Sequence, residues 1–288
     1  MKITKAVIPV AGMGTRFLPA TKAFPKEMFP IVNVPILEML VLELVQAGIT
    51  DILFVISSEN ESIIKHFNSN YKLEKILLEN QENDLLNLAT RTNNCANIFH
   101  IVQNEMLGFA DAVSYGKTFV NGECFVLCVG DELIKNDKQS SISQLIECYN
   151  KYSKAVVALY PVIPNMTHKY GIADIRYSDG KLVELNKLIE KPKDNPPSNL
   201  AVIGKYIMHS SIFDIIHSQK KHINEVNFME CLNCMIQNND LNGMVIEGTR
   251  FDTGDKLGYV TANIEYGLQD NDISTELKKF LRELIPKL

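Results

Sequence analysis

Along the first half of the chain, short apolar runs alternate with segments of helical period. AVIPV (6–10) is a β-rich run, and ILEMLVLELVQAG (36–48) carries apolar residues at helical spacing up to Gly48. DILFVIS (51–57) reads as the next strand, followed by helical segments at 61–67 and over the Leu- and Asn-rich 71–91. NIFHIVQ (97–103) is a strand, ADAVSYGKTF (110–119) a helix and ECFVLCVGD (123–131) another buried strand. This rhythm predicts βαβ units: an α/β, three-layer, Rossmann-like architecture, with a mixed, mostly parallel sheet covered by helices on both faces. Such sheets bind ligands at the carboxyl ends of their strands. Gly12–Arg16 and Gly130–Glu132, each just after a strand, are therefore expected to face one crevice.

After residue 150 the rhythm changes. SKAVVALYPV, YGIADIRYSDGKLVELNKLIEKP and NLAVIGKYIM are strand-rich, with a hairpin signal at SDG (178–180). Helical patterns return at 210–217, 226–237 and 257–287. No linker separates the halves, so the second is expected to extend the same sheet as an insertion or lid. KPKDNPPSN (191–199) reads as a loop.

Composition narrows the function classes. The chain has 288 residues, 46% hydrophobic and 22% charged, enough for a sizeable core. Its formal net charge of −5 argues against a general nucleic-acid surface, although a single basic cleft remains compatible. No apolar run reaches the roughly 18 residues of a membrane span. The basic-then-apolar start leads straight into a glycine-rich turn, which suits a first core strand better than a signal peptide, so a cytoplasmic chain is expected. Six cysteines are scattered. Cys124 and Cys128 read as small core residues, and the lone C-x-x-C of Cys231 and Cys234 as two thiols on a helix, lacking a second ligand pair.

The candidate chemistry starts at AVIPVAGMGTRFLPATKAFPKEMFPIV (6–32), where Arg16, Lys22 and Lys26 follow a glycine-rich turn broken by Pro19, Pro25 and Pro30. The P-loop spacing fails. The dinucleotide fingerprint, and with it a nicotinamide-linked dehydrogenase, fails at Phe17. Two readings stay open: a loop that wraps a triphosphate with backbone amides, Arg16 and Lys26, or a plain connection with cations facing solvent.

The run G-x-G-T-R-x-L-P-x-T-x-x-x-P-K-E, carried by Gly12, Gly14, Thr15, Arg16, Leu18, Pro19, Thr21, Pro25, Lys26 and Glu27, resembles the signature of sugar-1-phosphate nucleotidylyltransferases. FLPATKAFPKEMFPIV, HKYGIADI, LIEKPKDNPPSNLAVIGKYIM and FDTGDKLGYVTANIEYGL resemble, in order, segments of the bacterial UTP–glucose-1-phosphate uridylyltransferases. The likeness runs from residue 5 to about 269. It implies a nucleotide-diphospho-sugar transferase fold and a single domain over 1–288. A nucleotide-binding half would span 1–135, a sugar-phosphate-binding half 150–256, and C-terminal helices 257–288.

The resemblance also implies a reaction between UTP and glucose 1-phosphate, giving UDP-glucose and pyrophosphate. Arg16 would hold the β- and γ-phosphates, and Lys26 would stabilise charge at the α-phosphate. Asp131 and Asp252 would bind Mg²⁺. Read alone, Asp131 is equally a turn residue or a helix cap. Ala11, Gly12, Gly14, Glu27, Gln103 and Gly108 would receive the nucleotide, with Gln103 reading uracil. Gly171, Glu190 and Lys191 would receive the sugar phosphate. Neighbours on a strand point to opposite faces, so one ligand served by both Glu190 and Lys191 requires a bend or bulge at Pro192.

Four departures from the family pattern stand out. Asn33 and Val34 replace an acid and a base. Phe109, Ala110 and Asp111 interrupt a G-L-G-H-A motif, with Asp111 in the histidine's place. Glu132 replaces the second of two paired aspartates, and VNFMECLN (226–233) replaces a helix start that borders the sugar. They leave two alternatives: a nucleotidylyltransferase for dTTP or another sugar phosphate, or a weakly active paralogue that regulates a true uridylyltransferase. The segment 274–288 reads as an amphipathic helix through Leu277, Phe280, Leu281 and Leu284, either packed on the domain or making a subunit contact; the resemblance implies a homodimer or homotetramer.

Overall fold

A computed structural model describes residues 2–220 and 225–287; Met1, residues 221–224 and Leu288, the last in the expected C-terminal helix, lie outside the described residues. Strand β1 (Lys5–Val10) leads into three 3₁₀ turns (Thr15–Phe17, Ala20–Lys22, Lys26–Met28) and a two-residue ladder of β2 (Pro30–Ile31) and β3 (Val34–Pro35). There follow α1 (Ile36–Gln46), β4 (Asp51–Ile56), α2 (Glu61–Phe67), α3 (Tyr71–Glu79), α4 (Asn83–Thr90) and β5 (Asn97–Val102). Next come α5 (Phe109–Ser114), α6 (Lys117–Val120), β6 (Phe125–Cys128), β7 (Glu132–Lys135), α7 (Ser141–Tyr152) and β8 (Ala155–Pro161). The hairpin β9 (Gly171–Asp179) and β10 (Leu182–Glu190) precedes β11 (Leu200–Met208), α8 (Ser211–Lys220) and α9 (Phe228–Gln237). β12 (Leu241–Val245), β13 (Thr249–Asp252), α10 (Lys256–Gly267) and α11 (Ser274–Leu284) complete the order.

Nine strands form one mixed sheet in the order β5-β4-β1-β6-β11-β8-β12-β10-β9. The first four run parallel, as the βαβ rhythm predicts. The second half joins the same sheet largely through antiparallel partners, with β12 parallel to β8. Period-two alternation sends Ala6, Ile8 and Val10 to a core beneath α1, α2 and α7, and Val7 to a core beneath α5, α8 and α9. Burying each large apolar side chain contributes about 1.5–3 kcal/mol, so two full cores fix the sheet from both faces.

Three features aim the sheet at a site. Proline-broken 3₁₀ turns replace the helix that β1 would otherwise feed, leaving a long loop over the strand ends. At the sheet's centre β11 bulges between Val202 and Tyr206, where Gly204 takes φ +66° and accepts from Val129 N at 2.8 Å. A side chain there would meet both the left-handed backbone and Val129. Finally, β7 pairs with β13 outside the main sheet, bringing Asp252 opposite Glu132. These two four-residue strands, together with β12 and α7, add to the elements expected from the sequence.

Cys231 and Cys234 both lie on α9, and neither is in a disulfide, as expected. Helix α11 has no fully buried residue, and Phe280 is largely exposed. No helix among the described residues is long and apolar enough to cross a membrane.

Candidate active site

Two adjoining cavities open at the carboxyl ends of β1, β5 and β6, sharing Phe109 and Val129 as a wall. The first, of about 340 Å³, is lined by Ala11, Gly12, Lys26, Glu27, Gln103, Gly108 and Asp131. The second, of about 610 Å³, is lined by Gly171, Glu190 and Lys191 from the β9–β10 hairpin, with Phe228 and Met229 from α9. Arg16, Gly14 and Asp252 line neither. Gly14 shapes the loop: at φ +59° its carbonyl accepts from Phe17 N and Thr21 Oγ1, both at 2.9 Å. Arg16 reaches across the chain, its Nη1 donating to the Gly254 carbonyl at 3.2 Å.

The first chamber is built around charge. Lys26 forms an ion pair with Asp131 and lies 3.9 Å from Glu27. Burial draws the Lys26 ammonium down, but Asp131 and Glu27 outweigh it and hold its pKa above the usual lysine value. Burial pushes Glu27 up to about 7; Lys26 opposes the rise and the Asp131 carboxylate adds to it. Glu27 Oε2 is buried without a hydrogen-bond partner among the described residues. A buried acceptor left unpaired costs about 1–3 kcal/mol, so this oxygen awaits a donor from a ligand.

The two aspartates converge through the β7–β13 ladder. Thr253 donates to the Asp131 carbonyl from its backbone N at 3.0 Å and its hydroxyl at 2.7 Å. Asp252 Oδ2 accepts from the Tyr170 hydroxyl at 2.8 Å and lies 3.5 Å from Arg250 Nη2. Arg250 also forks onto Glu132 and stacks on the Tyr170 ring, 4.6 Å from its centroid. Burial alone would lower the Arg250 pKa, but Glu132 overrides it and keeps the guanidinium charged. A Cβ on Gly254 would strike Asp131 Oδ2 and lie 3.3 Å from Asp252 Oδ1. The bare glycine therefore leaves a cradle between two carboxylates. Two hard oxygen donors converging on one glycine suit a divalent metal ion that takes its remaining ligands from phosphate and water. No group of three or more His, Cys, Asp or Glu suited to a metal occurs among the described residues.

In the second chamber the bend lies at Lys191 itself, correcting the expectation of a bend at Pro192. Lys191 N still donates to the Tyr170 carbonyl at 3.0 Å, and the residue then turns to φ +44°. That left-handed turn lets Lys191 Nζ meet Glu190 Oε1 at 3.1 Å, so both groups serve one cavity. Opposite them, Phe228 and Met229 replace the resembled helix start with apolar surface, and a Cβ on Gly171 would run into the Met229 methyl.

The Arg250–Glu132–Asp252–Tyr170 network was not legible in the sequence, because its members lie far apart along the chain and meet only through β7–β13. One signal existed: a second acid directly after Asp131, on a strand of its own.

A nucleotidyl transferase family model matches residues 5–268. The UTP–glucose-1-phosphate uridylyltransferase of Staphylococcus epidermidis is 38% identical over 285 residues, covering 98% of this chain and 99% of the relative. A protein of Staphylococcus saprophyticus named UTP–glucose-1-phosphate uridylyltransferase 2 is 39% identical over 285 residues, 98% of each chain. Among solved structures, a UTP-bound UGPase from Acinetobacter baumannii superposes with a TM-score of 0.91 at 34% identity, covering 98% of this chain and all of that one.

Proposed function

The chain belongs to the nucleotidyl transferase family, and from that premise we propose that it transfers a uridylyl group from UTP to glucose 1-phosphate, giving UDP-glucose and pyrophosphate. The observation that carries this reading is the pair of chambers with one common wall. One holds a half-buried lysine, two acidic groups and an amide reader; the other holds a carboxylate–ammonium pair at its mouth.

A phosphate oxygen of glucose 1-phosphate forms the new bond to the α-phosphorus of UTP, and the bond from that phosphorus to the β-phosphate bridging oxygen breaks. The nucleophile is already anionic, so no general base is required. Two polyanions must be aligned and their charge offset, which makes positioning and electrostatics the protein's main tasks. Lys26 lies at the floor where the α-phosphate sits and stabilises the charge that grows there. Arg16, from the loop over the strand ends, holds the leaving pyrophosphate. Lys191 takes the sugar phosphate as a point charge, and Glu190 accepts from sugar hydroxyls. Glu27 and Gln103 offer the base and ribose buried polar atoms. Asp131 and Asp252 would hold Mg²⁺, which when bound neutralises phosphate charge and aligns the phosphates.

The test is product analysis with UTP, Mg²⁺ and a panel of sugar 1-phosphates, with dTTP as a competing nucleotide. UDP-glucose and pyrophosphate are expected, with turnover abolished by EDTA. No pyrophosphate release from UTP with any sugar phosphate would overturn the reading. The apolar Phe228–Met229 wall makes the sugar panel the informative arm.

A further inference from the structure

We infer that Asp111, held by Lys220, is a positioning residue that fixes the orientation of the Gln103 amide and so makes the first chamber a reader of an imide N–H. The inference rests on reading that chamber as the base site.

Asp111 is the third residue of α5, buried at 4% exposure, where the resembled family pattern carries histidine. Its Oδ2 accepts from Gln103 Nε2 at 2.7 Å. Its Oδ1 pairs with Lys220 Nζ, from the last residue of α8. Lys220 also donates to Ser114 Oγ at 3.3 Å, and Ser114 Oγ donates to the Asp111 carbonyl at 2.6 Å. The carboxylate is therefore buried, charge-compensated and tied at both oxygens.

The chemistry follows from donor inventory. A free glutamine amide is ambivalent, since either its oxygen or its nitrogen can face a base. An ionised carboxylate only accepts, so it demands Nε2. Gln103 is itself buried at 6% exposure and lines the chamber. With Nε2 committed to Asp111, Oε1 is the corner left for a ligand, and it accepts no hydrogen bond from the described residues. Uracil carries a donor at N3 and pairs with that oxygen. Cytosine carries an acceptor at N3 and sets lone pair against lone pair. Asp111 thus converts an ambivalent reader into a selective one, and Lys220 delivers that setting from the second half of the fold.

Exchanging the carboxylate for its isosteric amide tests this. In Asp111→Asn the ammonium of Lys220 claims the new side chain's oxygen, its only acceptor. The new NH₂ then faces Gln103, whose amide must flip and present Nε2 to the base. Binding of UMP and CMP is measured by calorimetry on the full chain, without metal, near pH 7. The parent is expected to favour UMP. In D111N the UMP:CMP affinity ratio should fall by roughly tenfold or more, the scale of one buried hydrogen bond gained or lost, as cytosine gains. Lys220→Met, at a partly exposed position, should lower the ratio less. Thermal unfolding checks that each variant folds, and Lys220→Met decides the matter if D111N does not. A folded variant that keeps the parental ratio, or a parent without preference for UMP, overturns the inference. A parent that prefers UMP yet releases no pyrophosphate from UTP and glucose 1-phosphate removes the proposed reaction and leaves this role of Asp111 standing.

Discussion

The two chambers, which the proposed reaction would join, are built on different principles. In the first, the charged groups are more enclosed and paired with one another: Lys26 with Asp131, side chains 22% and 17% exposed, Asp111 with Lys220, 6% and 34%, and Glu27 nearly fully enclosed. In the second, Glu190 and Lys191 stand at the mouth with side chains 39% and 56% exposed. Buried charges act in a low dielectric and need no reorganisation when the substrate's charge shifts; exposed charges are screened and act mainly as anchors. Under the proposed function, the contrast would give chemistry to the first chamber and affinity to the second. It also fits where the departures fall. Asp111, bonded to Gln103 of the first chamber, is paired with Lys220, whereas 226–233 brings Phe228 and Met229, beside Asn227, to the wall of the second.

The sharpest way to break this contrast is Lys26→Ala. Removing this paired cation should lower turnover with UTP and glucose 1-phosphate by about 10²–10³, the usual scale for losing one preorganised electrostatic group. Pyrophosphate release measures this, and UMP binding, which needs no α-phosphate charge development, should change far less. Turnover equal to the parent's would remove Lys26 from the chemistry and with it the distinction between the chambers.

Lys191→Ala probes the other side with a smaller effect. An exposed point charge contributes modestly, so KM for glucose 1-phosphate should rise by roughly tenfold while UMP affinity stays at the parental value. Steady-state kinetics with glucose 1-phosphate as the varied substrate check it. A fall in kcat at unchanged KM would instead place Lys191 in the chemical step, and the second chamber could no longer be called an anchor.

Legibility along the chain divides at the same boundary. The parallel strands and the first chamber's loop were readable because their signals are local: contiguous apolar runs, glycines, and cations at fixed spacing. The partners that complete the chambers were not. Gln103 and Asp111 are eight residues apart, yet nothing in QNEMLGFAD marks them as bonded, because the contact depends on the turn at Gly108, φ +91°. Arg250 and Glu132 are 118 residues apart and meet through strands of four residues, too short to show a period. Helix α7 carries a local signal, with the Ser140 side chain accepting from Ser143 N and Ile142, Leu145 and Cys148 at helical spacing. The bend at Lys191 had none, since a lysine at positive φ contradicts its own local preference and occurs here beside a tertiary backbone bond to Tyr170.

The smallest effect on activity should come from a charge cluster that frames the first half without touching either chamber. Glu38 on α1 is buried; its Oε2 lies 2.7 Å from His66 Nε2 at the end of α2, and its Oε1 accepts from Arg91 just after α4. Burial alone would raise the Glu38 pKa, but the hydrogen bonds from His66 and Arg91 and the Arg91 charge more than offset it and hold it below the ordinary 4.5. A carboxylate depressed in the folded state stabilises the fold above its unfolded pKa. That contribution is lost as pH falls from about 4.5 through the lower folded value, because the unfolded chain binds the proton first. Glu38→Gln should therefore cost stability near pH 7, on the order of 1–3 kcal/mol for a weakened bond to the charged Arg91, and narrow its gap to the parent as the medium is acidified below pH about 4. Denaturant unfolding at a series of pH values reads both the offset and the convergence. At pH 7, under conditions where the variant remains folded, UMP binding and KM for glucose 1-phosphate should match the parent's. A gap that stayed constant down to low pH would show that Glu38 acts by packing alone. A variant that folds but loses UMP affinity would show that the frame around α1 reaches into the first chamber, whose preorganisation would then depend on more than its own buried pairs.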